Sequence, residues 1–147
     1  MTDAEAASYA ATVAAATPTI DQVRQPTIDR GNSEAAAART KYITAIAGQE
    51  QTYQLKADEA SAYLTAAAAV TAPATYSPAA GTYPYLEAEA VTTGTTLAAL
   101  AASVAATATQ WTSLNVKIES LRRGAVVRIA AAPDQRAIQA VFPIAWP

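Results

Sequence analysis

The chain contains no cysteine and no histidine. Disulfides, thiolate nucleophiles, Cys/His zinc sites and every histidine-based triad are excluded together. Charge is also scarce. Only 15% of the 147 residues are charged, and Lys+Arg 10 against Asp+Glu 12 leaves a net charge of −2. A nucleic-acid binder would need a strongly basic surface, so that class is not expected. Aromatic residues make up 7%, and Tyr accounts for 7 of them. The opening Met1-Thr2-Asp3-Ala4-Glu5 is acidic and lacks the basic start of a signal peptide. The longest apolar runs are Ala-rich and cut by Thr, short of the roughly 20 strongly apolar residues that cross a bilayer. The expectation is a protein made in a cytoplasm, without a membrane or nucleic-acid partner. What is abundant is alanine, with 41 residues, far above ordinary usage. The apolar content of 52% argues against disorder over most of the length. An all-α protein with thin side chains is expected.

Local signals divide the chain into helices. Thr2-x-x-Glu5 is a capping box ahead of an Ala run, predicting a helix over about 3–16 that stops before Pro18. Pro18, Pro26 and Gly31 mark 17–31 as an extended connector, with Ile20, Val23 and Ile28 free to dock. A long helix is expected from Asn32 or Ser33 to about Val70, on a stripe of Tyr42, Ile46, Tyr53, Ala60, Leu64 and Ala67. Gly48 within it suggests close approach by another helix, or a bend. Pro73, Pro78, Gly81 and Pro84 make 71–84 a loop, and a short helix from Pro84 stops at Gly94. A second long helix opens at Thr95 or Thr96. Leu97, Leu100, Val104, Thr107, Trp111, Leu114, Ile118, Leu121 and Ala125 alternate steps of three and four along it. It ends near Ala132, and Asp134 caps a last short helix. The tail from Pro143 to Pro147 is apolar with no obvious partner in the chain.

Two long helices of matched length suggest an antiparallel helical hairpin, about 33–70 and 96–132, each roughly 55 Å long at 1.5 Å per residue. Residues 1–31 would form an N-terminal helix and connector, and 32–147 the hairpin domain. A turn centred near Tyr83 places Trp111 beside Tyr53 to Leu55 as the largest core anchor, and Ile118 beside Gly48. An intermolecular coiled coil is the alternative, but the positions flanking the stripe are mostly small and uncharged, which favours the internal hairpin.

No constellation suited to catalysis emerges. Asp58 and Glu59 are adjacent on a helix and diverge, as do Glu87 and Glu89, so all four are expected on solvated faces. No glycine-rich phosphate loop occurs, and nothing is placed to activate a Ser or Thr. No catalytic, cofactor or metal residues are assigned, and no enzyme activity is expected. The candidate partner contacts are of three kinds. Tyr76, Tyr83 and Tyr85 form either a recognition tip or a plug for the end of the hairpin. Arg122, Arg123 and Arg128, with Lys117 and Arg136, suit protein contacts or the helix C-terminal dipole better than phosphate. Phe142, Ile144 and Trp146 are large apolar residues at a chain end, where disorder is the default. Their burial against the hairpin or another subunit is expected.

Three blocks in order carry a resemblance. They are Lys41-Tyr42-Ile43-Thr44-Ala45-Ile46-Ala47-Gly48-Gln49-Glu50 continuing through Tyr53, Lys56 and Glu59-Ala60; Tyr83-Pro84-Tyr85-Leu86-Glu87-Ala88-Glu89-Ala90; and Trp111 with Ile118-Glu119 and Arg122-Arg123-Gly124-Ala125. Together they resemble small Ala-rich helical proteins of tailed bacteriophages, found with tail fibres and called tail fibre assembly proteins or tail fibre chaperones. The resemblance covers roughly Lys41 to Ala132, and no binding residues carry over from it. It implies a non-enzymatic structural component of the virion tail, attached to a tail fibre or baseplate, with those proteins or further copies of itself as partners. A dissociable assembly chaperone, acting in the host cytoplasm, is the alternative.

Overall fold

The computed structural model describes residues 2–16, 18–42 and 49–147. It is all-helical, with a long helix packed against shorter ones. In chain order the helices are α1 (Asp3–Ala16), α2 (Ile20–Thr40), α3 (Gln49–Ala68), α4 (Pro84–Thr93), α5 (Leu97–Ala131) and α6 (Gln135–Gln139). The local signals place most ends. The Thr2 hydroxyl accepts from the Glu5 N–H, and the Glu5 carboxylate accepts from the Thr2 N–H at 2.6 Å. Pro84 opens α4, and Gly94 ends it with φ of 67°, a left-handed conformation that suits glycine. Thr96 caps α5 at the Ala99 N–H. Asp134 caps α6, accepting from the Ala137 N–H at 2.7 Å.

The expected first long helix is divided. α2 ends at Thr40, and Lys41 and Tyr42 form a turn. α2 also begins earlier than expected, because Thr19 and Gln22 form a second capping box. The supposed connector is therefore helical from Ile20, with Pro26 inside it. The missing N–H of Pro26 is tolerated because Ile20, Val23 and Ile28 pack on a core that repays the lost bond. Gly48 lies outside the described residues.

The chain forms two compact units: residues 1–39 with 117–147, and residues 40–116. In the first, α2 runs antiparallel to the C-terminal part of α5. Arg24 meets the Ala132 carbonyl, Asn32 meets Arg122, and Arg39 meets Glu119. A turn near Tyr83 would instead pair these α5 positions with residues eight to twelve further along the chain. The core of this unit joins Ala125, Ile129, Ala132, Ile138, Val141 and Ile144. Ile118, Ile129 and Ile138 are fully buried, each worth about 1.5–3 kcal/mol.

In the second unit Ala60, Tyr63 and Ala67 of α3 share a core with Tyr83, Leu86, Leu100 and Ala101. The C-terminal half of α3 thus packs with the start of α5, as a hairpin requires. Alanine at the contacts lets helix axes approach to about 8 Å. The α3 face is rotated from the expected stripe: Tyr63 is buried, whereas Tyr53 is 49% and Leu64 37% exposed. Trp111 is half-buried and outside the described core clusters. The core anchors are instead Tyr63 and Leu86.

Candidate functional site

Charged and aromatic side chains gather in two places, one in each unit. In the second unit, Glu59 of α3 reaches the N-terminus of α4. Its carboxylate accepts from the Tyr85 N–H at 3.3 Å and the Leu86 N–H at 3.0 Å. These are donors that a helix start leaves without intrahelical partners. Glu87 turns back on the loop and accepts from Gly81 at 2.7 Å and Tyr83 at 3.0 Å. The Tyr83 and Gly81 N–H groups hold its carboxyl below the usual carboxylate range. Lys56 pairs with Glu89. The expectation of solvated carboxylates is corrected here. Glu59, Glu87 and Glu89 are half-buried and fasten α4; Asp58, exposed, accepts from Gln54 at 2.9 Å.

Tyr76 and Tyr83 pack in a cluster with Tyr63. Tyr63 meets Tyr76 edge-on at 5.2 Å and Tyr83 at 5.5 Å between ring centroids. The Tyr76 and Tyr83 hydroxyls lie 3.1 Å apart. The Tyr76 hydroxyl, with burial, pushes the Tyr83 phenol up to about 12. Tyr83 is 6% exposed, whereas Tyr85 is 41% exposed. Beside this cluster is an open groove of about 460 Å³, lined by Tyr63, Tyr76, Ser77, Glu87 and Leu97 among others. Its one carboxylate is already held by backbone N–H groups.

In the first unit, Glu119 accepts from Arg122 through both oxygens, at 2.9 and 2.6 Å, and from Arg39 at 3.0 Å. Arg122 also donates to Asn32 at 2.9 Å. Arg122 and then Arg39 hold the Glu119 carboxyl down to about 2. Of the candidate cations, Arg122 therefore ties α5 to α2. Arg123 and Arg128 are exposed and pair with no acid among the described residues.

The C-terminal tail has its partner within the chain. Ile144 is 8% exposed, in the core with Ile129 and Ile138. Phe142 lies over Gly31, where an added Cβ would stand 3.7 Å from the ring. The Arg30 guanidinium sits 4.1 Å from the Phe142 centroid, a cation–π contact. Trp146 donates its indole N–H to Glu34 at 3.1 Å. Sequence reasoning missed Glu34, Glu59 and Arg39 as fastening residues. Their partners lie 112, 26–27 and 80 positions away, and no local spacing signals such pairs.

Among the described residues no group of three acids is placed to hold a metal. Among the same residues no single helix is long and apolar enough to cross a membrane. No protein-family model, curated protein or solved structure matches the chain.

Proposed function

We propose that this protein is a non-enzymatic structural component of a phage tail, joined to a tail fibre or baseplate by helix packing. The observation that carries the proposal is the ordered set of three blocks between Lys41 and Ala132, with their resemblance to phage tail proteins. The described part of those blocks also has a coherent internal role. Lys56, Glu59 and Ala60 of the first block meet Tyr85, Leu86 and Glu89 of the second. Glu119 and Arg122 of the third meet each other. What resembles the phage proteins is thus largely the means of fastening helices together, so the resemblance supports a shared scaffold and leaves the contact surface to be found. The outer face of α5 from Ala98 to Val116 is the natural candidate, being helical, exposed and rich in small side chains.

Counting this chain in purified mature phage particles by quantitative mass spectrometry tests the proposal. A fixed stoichiometry with the tail supports a structural component. Absence from particles, with recovery on immature fibre chains, selects the assembly chaperone instead. Absence from both overturns the phage assignment.

A further inference from the structure

Gly124 lies inside α5, where glycine weakens a helix. A Cβ added there would meet nothing within 4 Å, so its own chain makes no use of the space. Gly124 belongs to a stripe of five exposed residues, Lys117, Ser120, Gly124, Val127 and Ala131. Their steps of three and four mark one helix face, which is not the buried face of Ile118, Ala125 and Ile129. Val127 is 59% exposed. Arg123 and Arg128 flank the stripe without acidic partners among the described residues.

A matching stripe occurs on α1. Thr2, Ala6, Tyr9 and Val13 recur at steps of four, three and four, and Tyr9 is 68% and Val13 46% exposed. From Asp3 to Ala14 every side chain except the half-buried Ala6 is exposed. An isolated helix of 14 residues is marginal in water, so α1 gains from a docking partner.

We propose that α1 of one copy packs antiparallel on the outer face of α5 in a second copy. Read in opposite directions, the two stripes have the same spacing. Ala6 then faces Val127, Tyr9 faces Gly124 and Val13 faces Ser120, a larger side chain against a smaller one at each level. The Tyr9 ring fills the space at Gly124. Asp3 arrives beside Arg128, and the acidic start of α1 lies at the C-terminal end of α5, so charges and helix dipoles both attract. The lengths agree as well: α1 spans about 21 Å and residues 117–131 about 22 Å.

The same chain cannot make this pairing. Gln135 donates to the Pro18 carbonyl and Arg24 to the Ala132 carbonyl, which holds the start of α2 at the C-terminal end of α5. The register requires Ala16 beside Lys117, about 22 Å back along α5. The stretch from Ala16 to Pro18 spans at most about 7 Å. A second copy is therefore the occupant. The inference rests on this geometry alone and is independent of the phage assignment.

Sedimentation equilibrium of the full chain, with cross-linking of single-cysteine variants, tests it. The native chain should self-associate, and salt should weaken the association. Mixing an Ala6→Cys chain with a Val127→Cys chain should give a mixed disulfide dimer, which the cysteine-free background makes easy to read. Asp3→Lys and Arg128→Glu should each raise the dissociation constant about fivefold, and mixing the two variants should restore it. That rescue separates a charge contact from mere loss of an acidic residue that favours the start of α1. A native chain that stays monomeric at every accessible concentration would falsify the proposal. So would a chain carrying both cysteines that closes on itself.

Discussion

The indole N–H of Trp146 donates to the Glu34 carboxylate at 3.1 Å, binding the end of the chain to the middle of α2. That N–H, then Arg30, holds the Glu34 carboxyl below the usual range. A depressed folded-state value stabilises the fold above the unfolded value, near 4.3, and the stabilisation is lost as pH falls below it. Trp146→Phe keeps most of the ring and removes the donor. It should cost about 1 kcal/mol at pH 7 in urea unfolding, and less in acid once Glu34 is protonated. Ile144→Ala, two residues earlier, should cost about 2–4 kcal/mol at either pH, because it empties a core site. A tail that is cut by protease with no change in stability would contradict both.

Glu59 acts as a cap supplied from a distant helix. Glu59→Ala should destabilise the protein by about 1 kcal/mol. Amide exchange should accelerate most at Tyr85 and Leu86, whose N–H groups it accepts. Glu59→Gln retains an acceptor but not the charge that favours a helix start, so it should fall between. Uniform acceleration along α4 and α5 would show that the change acts on the core instead.

The Glu119 carboxyl should titrate near 2 by NMR, held there by Arg122 and then Arg39. Arg122→Gln should move it toward the ordinary range. The folded-state value is depressed, so the contribution of Glu119 is present above about 4.3 and disappears as pH falls toward 2. The Arg122→Gln variant should therefore lose less stability between those pH values than the native chain. A Glu119 that titrates normally in the native protein would remove this latch from the account.

Gly124→Ala should act with opposite signs on two measurements. It should raise unfolding stability by about 0.5–1 kcal/mol, since a helix-interior glycine is replaced where nothing stands within 4 Å. It should also weaken self-association, because the added methyl group occupies the space taken by Tyr9 of the second copy. Ser120→Ala should leave association nearly unchanged.

How much of this was legible depended on the range of each signal. The caps at Thr2, Thr96 and Asp134 and the stop at Gly94 depend on residues within a turn or two, and each is where the sequence places it. Thr19 and Gln22 are an equally local signal. Pro18, Pro26 and Gly31 mask that signal, because their cost to α2 is offset by packing that only the folded chain reveals. The division near Lys41 was hidden because Tyr42, Ile46 and Tyr53 keep helical spacing across it. On α3, alanine occupies several faces, so periodicity did not single out Tyr63 over Leu64. The all-α architecture and the inward stripe of α5 survived these errors. Pairings such as Arg39 with Glu119 did not follow from spacing, since many cations and acids satisfy the same rules.

The division of the chain into residues 1–39 with 117–147, and 40–116 between them, sets an order of events during synthesis. α2 leaves the ribosome early, but the Arg122, Ala132, Ile144 and Trp146 groups that meet it are made last. The intervening unit has all of its core partners, from Ala60 to Leu100 and Ala101, well before then. Once residues up to 116 have cleared the ribosomal exit tunnel, the inserted unit can complete its core while α2 still waits for its mate. Closing the outer unit is then a single late step across a long loop, whose entropy cost rises only slowly with loop length. Until that step, the apolar face of α2 is available to other chains on the same polysome.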